Sequence, residues 1–321
     1  MHIEEIPAAK LNTREFIRRQ SEEILRAVGK DTAITALSGG VDSCVVTVLG
    51  HRALGKKLAA WFIENGLMRK DEARSVVRMF REMGIRVQVL DAKEQFFDAL
   101  RGLRDPEEKR EAITRTFYKD VFGSLFQRSG ARYLLQGTIL TDVEETVAGV
   151  KRQHNVLAQL GVDPLATFGY GVIEPLLQLR KDGVRKLAKG LGLPVEAYKR
   201  MPFPGPALAA RVVGEAAPES IGLVRQATAI LEEELRRIPK FQCMAILHED
   251  RFPGMRDGKR DYGRQIEIRC WESVDARTAK PVWLAPRVLE KLAARMTKEV
   301  PGVVSVTYNI ATKPPSTMEA V

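Results

Sequence analysis

The stretch Ser38-Gly39-Gly40-Val41-Asp42-Ser43 combines two adjacent glycines with two hydroxyls and a carboxylate. Glycines let the backbone come close to an anion, and the N–H groups at the start of a helix point towards it. The stretch therefore predicts a phosphate-binding loop, with an empty β–α turn as the alternative. It has neither the lysine of the G-x-x-x-x-G-K-[ST] loop nor the spacing of the G-x-G-x-x-G fingerprint.

Strands and helices alternate around this loop, as the hydrophobic periodicity shows. The pattern predicts strands at 32–37, 57–64, 85–92 and 131–137. It predicts helices at 13–28, from the loop to about 54, and at 70–83, 106–128 and 180–191. This order predicts an α/β fold, a doubly wound parallel sheet with helices on both faces. Ligands of such sheets bind outside the carboxyl ends of the strands, which is where the loop lies. Residues 138–175 fit the alternation poorly and predict an irregular excursion.

Several prolines in residues 199–211 mark a domain boundary. Beyond it the pattern predicts helices at 218–237 and 285–299 and strands at 242–247, 265–271 and 303–310. We therefore predict two domains, residues 1–199 and a smaller α+β domain of residues 200–321.

The net charge of +10 favours anionic partners such as nucleotides, phosphates or RNA. The three cysteines form no C-x-x-C pair, which argues against a structural zinc site or a redox dithiol. No run approaches the roughly 18 apolar residues of a membrane helix, and the charged N-terminus does not resemble a signal peptide. We therefore expect a cytoplasmic protein with no membrane association.

The loop resembles the pyrophosphate loop (PP-loop) of the N-type ATP pyrophosphatases. Further segments resemble GMP synthetases in order: NGLMRKDEA (65–73), RDPEEKREAITRTF (104–117), LLQGTILTDVEET (134–146), RKDGVRKLAKGLGLP (180–194), PFPGPALAARVVGE (202–215) and TKPPSTMEAV (312–321). The chain looks like a divergent ATP-pyrophosphatase subunit that lacks a glutaminase domain. The resemblance implies an adenine nucleotide alpha hydrolase-like fold followed by a C-terminal dimerisation domain.

The resemblance also implies a reaction. ATP with Mg²⁺ adenylates xanthosine 5'-monophosphate (XMP), and ammonia then displaces AMP to give GMP, with pyrophosphate as the other product. Ammonia is free or comes from a separate glutamine amidotransferase subunit. A homodimer is expected, and the strands at 265–271 and 303–310 are expected to be exposed and to pair across its two-fold axis.

The resemblance assigns roles to residues of this sequence. ATP would contact Ser38, Gly39, Gly40, Val41, Asp42, Ser43, Gly137 and Thr138, and Asp42 would also bind Mg²⁺. The catalytic residues would be Asp42, Asp142, Glu145 and Lys151. The alternative for Asp142 and Glu145 is that they are two solvated acids in a loop. XMP would contact Arg200, Lys313, Thr317 and Glu319.

Some positions depart from the family pattern. Residues 151–160 lack the double glycine and one histidine of the family's mobile lid, Ala207 replaces a glycine, and the tail ends in Ala320-Val321. Ala207 is expected to obstruct the site if that position needs a positive φ. These changes keep two alternatives open: a paralogue that adenylates another nucleotide or an RNA base, and a nucleotide-binding subunit without turnover.

Overall fold

A computed structural model describes residues 3–147, 169–199, 201, 203–256, 258–274 and 278–319 of the chain. The chain forms two compact units. The first comprises Met1–Glu64, Glu72–Asp91 and Tyr118–Arg200, and the second comprises Asn65–Asp71, Ala92–Phe117 and Met201–Val321. Two early segments thus belong to the second unit, whereas the predicted division at 199/200 places them in the first domain.

The described helices, in chain order, are α1 (Thr13–Val28), α2 (Val41–Leu54), α3 (Glu72–Glu82), α4 (Lys93–Leu100), α5 (Pro106–Arg115), α6 (Gly123–Ser129), α7 (Leu140–Val147), α8 (Lys181–Gly190), α9 (Val195–Tyr198), α10 (Pro218–Glu234) and α11 (Pro286–Glu299). The strands are β1 (Ala33–Leu37), β2 (Leu58–Glu64), β3 (Val87–Asp91), β4 (Tyr133–Leu135), β5 (Gly171–Ile173), β6 (Gln242–Leu247), β7 (Phe252–Arg256), β8 (Lys259–Glu272), β9 (Lys280–Pro281) and β10 (Val303–Tyr308). In the described ranges, no helix has both the length and the hydropathy to cross a membrane.

The first unit contains a parallel sheet with the strand order β3-β2-β1-β4-β5. The chain moves outwards from β1 to β3 and then returns to place β4 on the other side of β1. The strand order therefore reverses between β1 and β4, which is where open α/β sheets bind ligands. This confirms the predicted α/β fold class.

Helix α2 is apolar around most of its circumference because it is covered from several sides. It contacts α1, α8 and β1, and Val45, Val46 and Leu49 are completely buried. A helix that is hydrophobic all round is a core helix. This packing fixes the N-terminus of α2 at the end of β1.

One prediction for the first half of the chain was wrong, because residues 138–175 are not wholly irregular and contain α7 and β5. The expected long helix over 106–128 is confirmed in its extent, but a π-helical segment at Thr116–Phe122 lies between α5 and α6. A π segment changes the direction of the side chains that follow, so one stripe of apolar residues does not continue through it.

The second unit contains a sheet built around β8. This strand is antiparallel to β6, β7 and β9 and parallel to β10. Helix α10 packs against β6 and α11 against β10, which confirms the predicted α+β class. Residues 265–271 pair with β6 on one side, and their first part pairs with β10 on the other. The expectation that this strand is exposed for pairing across a dimer axis is therefore wrong.

The early segment Asn65–Asp71 is fixed to α10 within the second unit. The Arg225 guanidinium donates to the carbonyls of Gly66 and Met68, the latter at 2.8 Å. Arg69 Nε donates to Glu232 Oε1 at 2.7 Å. These contacts explain why residues distant in sequence from the C-terminal sheet group with it.

Candidate functional site

The loop between β1 and α2 makes a tight turn at its glycines. Gly39 has φ 76°, in the left-handed region that favours glycine, and Gly40 is the N-cap of α2 with φ −72°. Cys44 N donates to Gly40 O at 3.1 Å, the first bond of the helix. The N-terminus of α2 therefore begins at the end of β1, as the sequence predicts.

The two serine hydroxyls hold the loop together. Ser43 Oγ donates to Gly40 O at 3.0 Å and lies 3.2 Å from Ser38 Oγ. Gly40 N in turn donates to Ser38 Oγ at 3.4 Å. This network fixes the turn and gathers two hydroxyls at the N-terminus of α2, the kind of position at which phosphate oxygens bind.

Asp42, in the first turn of α2, has one paired and one unpaired carboxylate oxygen. Its Oδ2 accepts from Lys181 Nζ at 2.5 Å, whereas its buried Oδ1 has no hydrogen-bond partner among the described groups. The described residues form no cluster of three or more potential metal-binding side chains. Mg²⁺ typically binds one or two carboxylates together with substrate phosphates, so the Asp42 carboxylate fits this ion. Lys181 was not among the predicted site residues, although it lies in the quoted segment RKDGVRKLAKGLGLP.

Gly137 follows β4 and lies against the loop. A Cβ at this position would be 3.0 Å from the Asp42 carbonyl carbon and 3.1 Å from Ser43 N, both backbone atoms. Only glycine fits this approach without a backbone shift. The structure therefore brings predicted residues of two neighbouring strand ends together.

Thr138 and Asp142 form a second polar group beyond β4. The buried Thr138 donates through Oγ1 to Glu174 Oε1 at 2.5 Å, and Asp142 Oδ2 accepts from Ile139 N at 3.1 Å. Burial raises the pKa of Tyr118, and the negative charges of Asp142 and Glu174 raise it further. These two carboxylates thus act on one partly buried phenol. Glu174, which follows β5, was missed because nothing in its local pattern marks it.

Three of the predicted residues cannot be placed fully. Lys151 and Arg200 lie outside the described residues, as does the altered lid at 151–160. Glu145 belongs to α7, but its side chain is also outside the described part. Their expected roles stay predictions.

The second unit contains a buried arginine whose donors are unused. Arg211 is 0% exposed, and its Nε, Nη1 and Nη2 have no hydrogen-bond partner in the described ranges. Its guanidinium lies 4.7 Å from the centre of the Phe203 ring, and that of Arg69 lies 3.9 Å from the same ring. Burial lowers the pKa of Arg211. A guanidinium held in this way is costly without a ligand that accepts its hydrogen bonds.

Glu319 supplies the matching acceptor. Its Oε1 accepts from Gln242 Nε2 at 3.1 Å, while its buried Oε2 has no partner within the described residues. The charge of Glu319 also raises the pKa of Arg211, against the larger effect of burial. We call Arg69, Phe203, Arg211, Gln242 and Glu319 the arginine cluster. It offers both donors and an acceptor, as recognition of a polar, planar, anionic ligand requires.

The C-terminal tail is held in place next to this cluster. Arg269 Nη1 donates to Thr317 O at 3.0 Å and to Glu319 O at 3.1 Å. Lys313 exchanges backbone hydrogen bonds with Ala279 at 2.9 and 3.0 Å. Of the predicted XMP residues, the structure thus places Glu319 in the cluster and Thr317 beside it in the chain.

Ala207 has φ 55° and is buried at the start of the short 3-10 turn Ala207–Arg211. Its N–H donates to Pro204 O at 2.9 Å. The backbone at position 207 is therefore left-handed, which is the condition under which Ala207 was expected to obstruct the site. Alanine is strained in this conformation.

We expect Ala207→Gly to raise the free energy of unfolding by about 0.5–1 kcal/mol, because glycine adopts this φ without the Cβ clash. Urea unfolding followed by circular dichroism measures the change. Ala210→Gly, in the same turn but without a positive φ, should instead lower stability. Equal losses in both variants would contradict the strain at Ala207.

Both parts of the chain are similar to known protein families. The NAD synthase family model matches residues 13–209, and the GMP synthase C terminal domain model matches residues 231–320. One subunit of the glutamine-hydrolyzing GMP synthase of Pyrococcus abyssi (strain GE5 / Orsay) is 45% identical over 312 residues, which is 96% of this chain and 99% of that protein. The Archaeoglobus fulgidus protein of the same name is 44% identical over 96% of this chain and 99% of its own length. The Methanocaldococcus jannaschii protein is 41% identical over 95% of this chain and 98% of its own length. Since the similarity extends over nearly the whole chain, the protein belongs to the family of these GMP synthase subunits.

Proposed function

We propose that this chain is the ATP-pyrophosphatase subunit of a GMP synthase and converts XMP, ATP and ammonia into GMP, AMP and pyrophosphate. The observation that carries the proposal is the loop at the point where the strand order reverses. There Asp42 has a buried carboxylate oxygen without a hydrogen-bond partner among the described residues. Membership of the GMP synthase subunit family supports the choice of substrate.

The loop binds the pyrophosphate end of ATP. Its backbone N–H groups donate to the β- and γ-phosphates, and on binding the hydroxyls of Ser38 and Ser43 exchange their hydrogen bonds within the loop for bonds to the same phosphates. Asp42 would hold Mg²⁺, which when bound neutralises charge on the leaving pyrophosphate. The C2 oxygen of XMP attacks the α-phosphorus, and the bond from that phosphorus to the bridging oxygen breaks. Ammonia then attacks C2, loses a proton, and displaces AMP together with the former C2 oxygen.

The arginine cluster binds XMP. Arg211 and Arg69 donate to its anionic or carbonyl oxygens, and Glu319 Oε2 accepts from an N–H group of the base. The Arg211 donors and Glu319 Oε2 are buried and have no partner in the described part of the chain, which supports this assignment. Lys313, Thr317 and Arg200 are proposed as further contacts of XMP. Asp142, Glu145 and Lys151 are proposed to act at the reacting centre.

The ammonia source and the oligomeric state belong to the same proposal. The relatives are named as one subunit of a glutamine-hydrolyzing enzyme, which supports a separate glutamine amidotransferase subunit as the partner of this chain. We also propose a homodimer formed through the second unit. Sedimentation at micromolar concentration would measure it, and a monomer would contradict it.

The test is a reaction with ATP, Mg²⁺, ammonium and XMP, with nucleotides separated by chromatography. Equal amounts of GMP and AMP are expected, and omission of either XMP or ammonium should remove the GMP. AMP formed from other nucleotides or RNA, but not with XMP, would favour the paralogue. ATP binding without any AMP would favour a subunit that has lost turnover.

We expect Gly137→Ala to weaken ATP binding about tenfold or more, because its Cβ would displace the backbone of Asp42 and Ser43. Titration calorimetry with ATP and Mg²⁺ measures the affinity. Gly222→Ala is the matched control, since a Cβ there meets nothing within 4 Å. Wild-type affinity in the Gly137 variant would show that ATP does not depend on this approach.

A further inference from the structure

Lys109 is a buried lysine whose donors all point to one short segment of backbone. It lies in α5 and is 1% exposed. Its Nζ donates to Val212 O at 2.8 Å, Gly214 O at 3.2 Å and Ala209 O at 3.4 Å. An ammonium has three donors, so these carbonyls use all of them. The carbonyls lie on both sides of Arg211 in the chain.

The charged groups near Lys109 do not explain why a lysine is buried at this position. No described carboxylate forms an ion pair with it, although the charges of Asp105 and Glu249 raise its pKa. Burial has the larger effect and lowers the pKa of Lys109 to about 8. Lysine is almost never fully buried unless it is paired, because removing its charge from water is costly. The free-energy cost of burying Lys109 is therefore offset by its hydrogen bonds to the backbone around Arg211.

Arg211 depends on that backbone for its position. Its guanidinium has no hydrogen-bond partner among the described groups, so only ring stacking on Phe203 and close packing hold the side chain. The turn that carries it begins at the strained Ala207. A strained turn persists only when its surroundings hold it. Lys109 binds the turn before Arg211 and the chain after it.

We propose that Lys109 is a positioning residue that holds the backbone on both sides of Arg211 in the geometry that XMP binding requires. Lys109 does not touch the substrate in this proposal and acts only through Arg211. The inference rests on the proposed function, since XMP is the ligand that the arginine cluster is proposed to bind.

The test compares Lys109→Met with the wild type in the full chain. Methionine keeps the length of the side chain but donates no hydrogen bond. The KM for XMP should rise about tenfold to a hundredfold while kcat changes little and the KM for ATP is unchanged. Lys109→Arg should restore part of the XMP affinity. Lys240→Met is the control, because Lys240 also binds two backbone carbonyls, those of Leu235 and Ile238, in the same unit.

A pH series on the wild type and both methionine variants provides a second measurement. Burial lowers the pKa of Lys109 to about 8, and deprotonation removes one of its three donors. The KM for XMP should therefore rise with pH in the wild type and in Lys240→Met, and less in Lys109→Met, which has no donor to lose. A rise of the same size in Lys109→Met would overturn the proposal.

The positioning role and the proposed function fail in different ways. An active wild type combined with a folded Lys109→Met that keeps its KM for XMP would remove the positioning role alone. Equal rises in the KM values for XMP and ATP would do the same, because they indicate general damage. A wild type that makes no GMP would remove the proposed function and this inference with it.

Discussion

Asp42→Ala should reduce AMP formation by about a thousandfold or more, since a metal-stabilised charge is worth several kcal/mol in a transition state. The substitution removes the buried Oδ1 that is proposed to hold Mg²⁺. It also removes the ion-pair partner of Lys181. The loop backbone should persist, because the Ser38 and Ser43 hydrogen bonds do not involve Asp42.

The measurement is AMP release from ATP with XMP and ammonium, together with the far-ultraviolet circular dichroism spectrum. Glu15→Ala is the matched control, because Glu15 is also an acid in the first turn of a helix, α1, but is exposed and pairs with Arg18. Loss of activity in both variants would point to a general effect of charge removal. Full activity in the Asp42 variant would overturn the proposed role of the loop.

Arg211→Met should have opposite effects on stability and on binding. The free protein should gain about 1–3 kcal/mol in stability, because the buried guanidinium, which has no hydrogen-bond partner among the described groups, is removed. The affinity for XMP should fall about a hundredfold or more, since several charge-assisted hydrogen bonds are lost. Residues of a ligand site typically lower the stability of the free protein and contribute favourable interactions only when the ligand is bound.

Urea unfolding and titration calorimetry with XMP measure the two effects separately. Arg269→Met is the control, because Arg269 binds Glu267 and the carbonyls of Thr317 and Glu319. That variant should lose stability, since it leaves these acceptors without their donor. An Arg211 variant that is less stable than the wild type and binds XMP normally would show that the arginine is structural.

The loop of the first unit could be predicted from the sequence because its signals are local. The β-branched run before Ser38, the glycine pair and the apolar helix after it specify strand, turn and helix within a short window. The position of this turn at the carboxyl end of β1 then follows from the alternation of strands and helices. Gly137 lies next to the loop for the same reason, because β4 is the neighbour of β1.

The arginine cluster could not be predicted in this way. Its members come from distant parts of the chain, and only the tertiary fold shows that Arg211 and Glu319 have atoms without a partner in the described ranges. A basic residue within the apolar run ALAARVV was the available signal, since an arginine there must be buried or break the run. Helix α7 was not predicted either, because residues 140–147 are mostly polar. Asp142 accepts the backbone N–H of Ile139 at the start of this helix.

The second unit is assembled from segments that are translated at different times. Its segments Asn65–Asp71 and Ala92–Phe117 leave the ribosome long before the sheet that they join. Lys109 is therefore translated well ahead of the carbonyls of Val212 and Gly214 and stays in water until they arrive. The gene consequently cannot be cut at the proline-rich stretch into two pieces that each encode a complete unit. A polypeptide that begins at Met201 would lack Arg69 and Lys109, and the remaining piece would carry both without their partners.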